Sequence, residues 1–264
     1  MERVGGVMAL LDARGDFFEP ARTAFPGASE ADWVRAAALD PATVGPDGGW
    51  RLPFRCFAVA RPGGRWVLVD AGVGPADAPG AAWCPVPGRL PGLLDEAGIG
   101  VTDVETVVLT HLHTDHVGWS VSSAGQPFFP AARYVVQRAE TEALGPADPV
   151  RERVVAPLRA AGQLQEVTGR HRLGPGLTLL PTPGHTPGHQ SVLVEQPGGR
   201  DVVVTGDVLV HAVQWHDPAV GYAHEVDRAA ARASRERVVA EAAERGAVLA
   251  TAHLGPAFVP PVPA

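Results

Sequence analysis

The stretch LTHLHTDHVGW, residues 109–119, constrains the fold of this chain more than any other segment. It places His111, His113, Asp115 and His116 in one loop of a chain that has ten histidines in all. The apolar run TVVLT before this loop predicts a buried strand that ends at His111. Side chains two positions apart at a strand end can face one point, whereas Asp115 and His116 come as the chain turns into a helix and can face a second point.

Further donors of the same kind follow at three later positions. TPGHTPGH supplies His185, VVTGD supplies Asp207 at a strand end, and ATAH supplies His253 at the end of another strand. Imidazole nitrogens and carboxylate oxygens are common ligands of zinc and other divalent metals in proteins. Seven donors are more than one closed tetrahedral site needs, so the set predicts two ions that share one carboxylate.

The rest of the sequence predicts strands and helices in an α/β fold. Short apolar runs alternate with Pro/Gly turns, FRCFAVA and RWVLVDAG form a predicted hairpin, and the longest predicted helix covers residues 224–245. SEADWVRAAAL predicts a helix capped by Ser29, with Asp32 three residues on. We expect an αββα sandwich of two packed mixed β-sheets with helices on the outer faces. We also expect a single domain over residues 1–264, with residues 1–50 as an N-terminal arm.

Composition argues against some classes of function. The formal net charge is -7 and the 22 basic residues are scattered, which is not the clustered positive face that nucleic acid requires. The absence of a long apolar stretch predicts that the chain does not span a membrane. Two cysteines cannot build a disulfide framework, so we expect a reducing compartment and a cytoplasmic protein.

The order of the donors resembles the metallo-β-lactamase superfamily, whose HxHxDH motif is followed by a His, an Asp and a His. The resemblance spans residues 54–255 and includes LVDAG, in which Asp70 matches an early aspartate of the family. It implies one metal bound by His111, His113 and His185, a second bound by Asp115, His116 and His253, and Asp207 as the bridge. Asp70 is expected to orient a ligand rather than to bind metal. Zinc is the expected metal, and manganese, iron, cobalt and nickel fit the same donors.

Within that superfamily, residues 206–254 and the N-terminal arm resemble the branch of N-acyl-homoserine lactonases and methyl-parathion-hydrolase-like enzymes. The resemblance implies a dinuclear metal-dependent hydrolase that uses a metal-bridging hydroxide on a small-molecule lactone or ester, and a homodimer formed through the arm. Three alternatives stay open: a phosphotriesterase or thioesterase of the same fold, an iron-dependent sulfur dioxygenase, and a non-catalytic metal-binding regulatory protein.

The sequence departs from the lactonases at one position. Lactonases of the well-known type have a tyrosine a few residues after the bridging aspartate, where this chain reads VLVH. His211 and Tyr222 are therefore candidate substitutes, and Asp115 is the candidate proton shuttle because we expect it beside the attacking water. His189 is interpreted as a structural hydrogen-bonding residue. Aromatic residues near the motifs are candidates for an apolar pocket wall: Phe17, Phe18, Trp119, Phe128, Phe129 and Trp215.

Overall fold

The computed structural model describes residues 1–41 and 49–261, which form two packed β-sheets. In this part of the chain the first sheet has seven strands in sequence order: β1 (Arg3–Val4), β2 (Val7–Asp16), β3 (Arg51–Ala60), β4 (Trp66–Val69), β5 (Val104–Val108), β6 (Arg133–Gln137) and β7 (Leu164–Val167). Neighbouring strands are antiparallel from β1 to β4 and parallel from β4 to β7. The hairpin predicted over residues 54–72 is confirmed as β3 and β4.

The second sheet lies against the first and is built from the C-terminal half. Its strands are β8 (His171–Gly174), β9 (Leu177–Pro181), β10 (Gln190–Val194), β11 (Val202–Val204), β12 (Val248–Ala250) and β13 (Phe258–Val259). Their spatial order is β13-β12-β11-β10-β9-β8, and β11 and β12 run parallel while the other neighbours run antiparallel. Both sheets are therefore mixed, as predicted.

Helices cover the outer faces and the ends of the sheets. They are α1 (Ala21–Ala24), α2 (Glu30–Leu39), α3 (Leu90–Glu96), α4 (Thr114–Val117), α5 (Arg138–Ala143), α6 (Ala156–Ala160), α7 (Ala212–His216) and α8 (Arg228–Arg245). Ser29 and Asp32 form the predicted capping box of α2. α8 begins at Arg228, later than the predicted start at residue 224, because the carboxylate of Asp227 accepts the N–H of Ala230 at 3.0 Å and caps the helix there. Within the described residues, no helix is both long enough and apolar enough to cross a membrane.

Three apolar layers hold the sandwich together. Between the sheets, Val69 and Val108 of the first sheet pack with Val192 and Val204 of the second. The outer face of the first sheet packs against α3 and α6, and that of the second sheet packs against α8. Burial of apolar surface on both faces of each sheet is the main stabilising contribution in such a fold. The predicted αββα architecture is confirmed.

The N-terminal segment is partly integrated into the first sheet. Residues 3–16 form strands β1 and β2, while α1 and α2 pack against α7 at the end of the sandwich where the predicted donors lie. Residues 42–48 of the expected arm lie outside the described residues. A role of the arm in a homodimer stays a prediction.

Candidate metal centre

The loops at one end of the sandwich bring all the predicted donors together. His111 and His113 follow β5, Asp115 and His116 lie in α4, His185 lies between β9 and β10, Asp207 follows β11, and His253 follows β12. The potential ligand atoms of each group lie within 4.8 Å of one another: His111, His113, His185 and Asp207 in the first group, and Asp115, His116 and His253 in the second. His113 is the one exposed member of this set, and it faces a pocket.

The first group is centred on a carboxylate oxygen of Asp207. Nε2 of His185 lies 3.0 Å from Nδ1 of His113 and 3.3 Å from Oδ2 of Asp207. Nε2 of His111 lies 3.8 Å from the same carboxylate oxygen, and it is buried without a hydrogen-bond partner in the described structure. A buried, unpartnered imidazole nitrogen aimed at other donors is a feature that a bound cation would explain.

The second group uses the other oxygen of the same carboxylate. Nε2 of His116 and Nε2 of His253 lie 3.2 Å apart, and each lies 3.3 Å from Oδ1 of Asp207. Oδ2 of Asp115 lies 3.4 Å from the first of these nitrogens and 3.5 Å from the second. Asp207 therefore offers one oxygen to each group, which is the geometry of a bridging carboxylate.

The hydrogen bonds behind the second group show that it fits a cation. Nδ1 of His116 lies 2.8 Å from a carboxylate oxygen of Asp70, and Nδ1 of His253 lies 2.9 Å from the carbonyl oxygen of Pro53. Both partners only accept, so each Nδ1 carries the proton and the two Nε2 lone pairs face each other. Only a proton or a cation can lie between them. Bonds of 2.0–2.1 Å to a tetrahedral zinc ion place nitrogen ligands about 3.3 Å apart, close to the spacing seen here.

Asp70 itself is held firmly. Its carboxylate accepts the backbone N–H and the hydroxyl of Thr110 at 2.8 and 2.9 Å. Its backbone has a φ of 62°, in the left-handed region that costs a non-glycine residue energy. These contacts fit the orienting role that the family resemblance implies for Asp70, which stays a prediction.

The electrostatics of the donors are those of a cation site. Burial opposes protonation of His116, but Asp207, Asp115 and Asp70 outweigh it and raise the pKa of His116 well above its usual value. Burial lowers the pKa of His111 and of His185 well below the usual value, so both imidazoles are neutral, as metal binding requires. The acidic groups thus favour positive charge at the nitrogens of His116 and His253, where a bound cation would lie, whereas the rings of His111 and His185 stay neutral.

Two residues outside the donor set hold the ligand loops in place. His189 is buried, accepts the backbone N–H of Asp207 on Nε2 at 2.9 Å, and lies 2.8 Å from the Thr182 hydroxyl on Nδ1, which agrees with its predicted hydrogen-bonding role. Burial lowers the pKa of His189 to about 4, so its ring stays neutral. Glu140 accepts the N–H of Leu112 at 3.0 Å and that of Gly188 at 2.7 Å, and so joins the loops of His113 and His185. The sequence offered no signal for Glu140.

A largely apolar cavity of about 360 Å³ opens above the donors. Five of the donors line its floor: His113, Asp115, His185, Asp207 and His253. Of the described residues that line it, none is an arginine or a lysine. Its walls are formed by Phe17, Phe18, Trp50, Leu52, Trp83, Leu112, Thr114, Asp148, Pro149, Val150, Val210, Tyr222 and His224. A cavity of this size and character suits a small, mainly apolar molecule.

Comparison with known families matches residues 55–253 to the model of the metallo-beta-lactamase superfamily. The chain belongs to the metallo-β-lactamase superfamily. An N-acyl homoserine lactonase of Bacillus sp is 29% identical over 155 residues, which are 58% of this chain and 58% of that protein. The N-acyl homoserine lactonase AttM of Rhizobium radiobacter is 31% identical over 195 residues, 65% of this chain and 70% of that protein. The chain thus matches less than two thirds of the length of the Bacillus relative.

Solved structures share the fold of this chain. A probable metal-dependent hydrolase from Staphylococcus aureus superposes with a TM-score of 0.80 at 17% identity, over 96% of this chain and 91% of that one. The dizinc quorum-quenching lactonase AidC superposes with a TM-score of 0.75 at 19% identity, over 96% of this chain and 88% of that one. These likenesses extend over the N-terminal segment as well as over the part matched by the family.

The structure separates the two residues considered as substitutes for the lactonase tyrosine. Tyr222 lines the pocket, and burial, with Asp207 and Asp115 nearby, raises the pKa of its hydroxyl above the usual value, so it stays a hydrogen-bond donor. His211 does not line the pocket. Its Nδ1 accepts the N–H of Val213 at 3.1 Å as the cap of α7, and burial lowers its pKa to about 3. The aromatic rings around it are Phe25, Trp33 and Trp50.

The aromatic residues expected at the pocket divide in a similar way. Phe17 and Phe18 line it. Those that pack in the apolar layers instead are Trp119, Phe128, Phe129 and Trp215. Trp50 and Trp83 also line the pocket and were not predicted. Trp83 lies in the Pro/Gly-rich loop after LVDAG. Because that strand ends near the donors, the sequence could have indicated that Trp83 lines the pocket.

Proposed function

We propose that this chain is a dinuclear metal-dependent hydrolase that cleaves small neutral lactones or esters. The observation that carries this proposal is the position of Asp207, whose two oxygens each lie 3.3 Å from imidazole nitrogens of a different donor group. In this proposal Asp207 bridges, one ion is held by His111, His113 and His185, and the other by Asp115, His116 and His253. Zinc is the metal that we expect first for such donors.

Two bound divalent ions would supply a water molecule of lowered pKa and would polarise the carbonyl of the substrate. Asp115 faces the pocket. Burial opposes its ionisation, but His116 and His253 outweigh this and lower the pKa of Asp115, so its carboxylate is ionised at neutral pH. It can therefore accept a proton during attack and return it to the leaving oxygen. The Tyr222 hydroxyl donates a hydrogen bond to the oxygen on which negative charge develops.

The pocket supports a neutral and largely apolar substrate. Aromatic side chains line much of the pocket, and none of the described lining residues is an arginine or a lysine. Away from the two proposed ions, a carboxylate or phosphate group on the substrate would find no arginine or lysine among the described lining residues. The similarity to N-acyl homoserine lactonases makes long-chain acyl-homoserine lactones the first substrates to test.

The test is proton release on mixing metal-loaded protein with a long-chain acyl-homoserine lactone, with chelator-treated protein as the control. Fast release that the chelator abolishes would support a lactonase. If two ions are bound and no proton is released, an aryl ester, a phosphotriester and a thioester are assayed next, which covers the alternative hydrolases of this fold. If none of these is cleaved, the hydrolase proposal is contradicted. Oxygen consumption by the iron-loaded form with a persulfide would then favour a dioxygenase. Without it, a regulatory protein would be favoured.

A further inference from the structure

Arg55 is a charged residue in the middle of a buried strand. It lies in β3 between Phe54 and Cys56, and it is only 5% exposed to solvent. Burial of a guanidinium group is costly unless its N–H groups find acceptors. The hydrogen-bond acceptors around Arg55 therefore indicate the role of this charge.

Within the described residues, the four hydrogen bonds of the Arg55 side chain all go to one loop. Nη1 donates to the carbonyl oxygens of Thr251 at 3.5 Å and Ala252 at 3.4 Å, and also to that of Leu254. Nη2 donates to the carbonyl oxygen of Gly255. The loop of residues 251–255 follows β12 and carries His253 at its centre, so one guanidinium fork gathers the backbone on both sides of a proposed metal ligand.

The two residues before Arg55 contact His253 itself. The carbonyl oxygen of Pro53 accepts the Nδ1 proton of His253 at 2.9 Å. The ring of Phe54 lies edge-on to the imidazole, with centroids 5.5 Å apart and planes at 84°. Three consecutive residues of β3 thus set the tautomer, the ring orientation and the backbone of His253. β3 belongs to the first sheet and β12 to the second, so these contacts also fix His253 relative to the ligands that the first sheet supplies.

We propose that Arg55 is a positioning residue that prepares His253 for one of the two ions. This inference rests on the proposed dinuclear function. Without the guanidinium, the carbonyl groups of the loop lose their shared donor and His253 loses its fixed backbone. This loss weakens the binding of the ion that Asp115 and His116 also hold. The ion held by His111, His113 and His185 is affected less, because those residues lie on other loops.

The experiment measures the release of each ion from zinc-loaded protein into excess chelator. The variants are Arg55→Lys, which keeps the charge but loses the fork, and Arg55→Met, which removes both. Arg61→Met is the matched control, because Arg61 also donates to a backbone carbonyl, that of Pro175 at 3.0 Å, but does so at an exposed site. His253→Ala identifies which release phase belongs to the ion that depends on His253.

We expect wild type to release two ions in two phases. In Arg55→Lys the phase that depends on His253 is expected to be about tenfold faster or more, in line with the effect of removing a residue that orients a ligand, while the other phase changes by less than about twofold. Arg61→Met should match wild type. If Arg55→Met does not fold, the lysine variant decides.

Two outcomes count against the inference and differ from a failure of the proposed function. Equal acceleration of both phases would make Arg55 a general structural residue, and unchanged release would mean that it does not act on His253. If wild type itself binds fewer than two ions, the dinuclear proposal fails whatever the Arg55 variants do.

Discussion

The ring of Tyr222 lies parallel to the imidazole of His185, with centroids 6.0 Å apart and planes at 12°. Arg235 of α8 holds the loop that presents this tyrosine. Its guanidinium donates to Glu225 at 2.9 Å and to the carbonyl oxygens of Pro218 and Val220 at 2.9 and 3.2 Å. A buried ion pair therefore fixes the hydroxyl donor beside the proposed metal ligands, which is the preorganisation that catalysis by hydrogen bonding needs.

Replacement of this tyrosine tests its proposed role. Tyr222→Phe keeps the stacked ring but removes the donor, so kcat for the lactone should fall by about 100-fold or more while the metal content stays the same. Tyr134→Phe is the matched control, since the Tyr134 hydroxyl donates to the carbonyl oxygen of Ser120 outside the pocket. Steady-state kinetics with metal analysis checks both, and full activity in Tyr222→Phe would contradict the role.

The proposed bridging role of Asp207 predicts that replacement of this residue lowers the metal content. Asp207→Asn keeps the size of the side chain but removes the negative charge that both donor groups share, and His113→Ala removes one ligand of the first group. Each variant should lose at least one ion and reduce hydrolysis by about 100-fold or more. The fold should persist, because the apolar layers of the sandwich do not involve these side chains. Metal analysis, circular dichroism and activity measure this, and retained hydrolysis in both variants would rule out a dinuclear mechanism.

The exposed part of the pocket wall predicts a dependence on acyl-chain length. Phe18 lines the pocket and its residue is 64% exposed, so a long apolar chain can cover it on binding. Phe18→Ala should raise KM for a long-chain lactone by about fivefold and leave a short-chain lactone nearly unchanged. Val34→Ala is the control, because Val34 is 71% exposed and does not line the pocket. Equal KM values for wild type and Phe18→Ala with both lactones would exclude a chain-binding role.

Burial of His211 predicts a loss of stability in acid. The folded chain holds the pKa of His211 at about 3, against an ordinary value of 6.5, so between these values only the unfolded chain binds the proton. The contribution of neutral His211 to the free energy of unfolding is therefore fully present above about pH 6.5 and is lost as the pH falls toward the folded-state pKa. His211→Asn keeps an acceptor for the N–H of Val213 but cannot be protonated in this range.

Denaturant unfolding of the chelated protein at two pH values measures this contribution without interference from metal release. From about pH 6.5 to about pH 4.5, the free energy of unfolding of wild type should fall by about 2 kcal/mol more than that of His211→Asn. Equal losses in the two proteins would show that His211 takes up its proton in the folded state.

Local chemistry made much of the fold and of the donor set predictable. The alternation of apolar runs and turns indicated most of the strands, and Ser29 with Asp32 indicated a helix start, because such signals act over a few residues. The donors were recognisable because few residue types bind divalent metals and because each donor follows a strand or turn signal in the sequence. The start of α8 was predicted too early because the polar segment before Asp227 has no breaker of its own.

Only the tertiary structure decided which other residues serve the donors. Tyr222 and His211 were equivalent by sequence, and the packing of α7 against α2 buries the histidine while the loop held by Arg235 brings the tyrosine to the pocket. Arg55 and Gly255 are 200 positions apart, so nothing near either residue in sequence shows that they meet. The ligand types and their order are properties of the chain, whereas the contacts that orient them arise when two sheets pack and bring distant segments together.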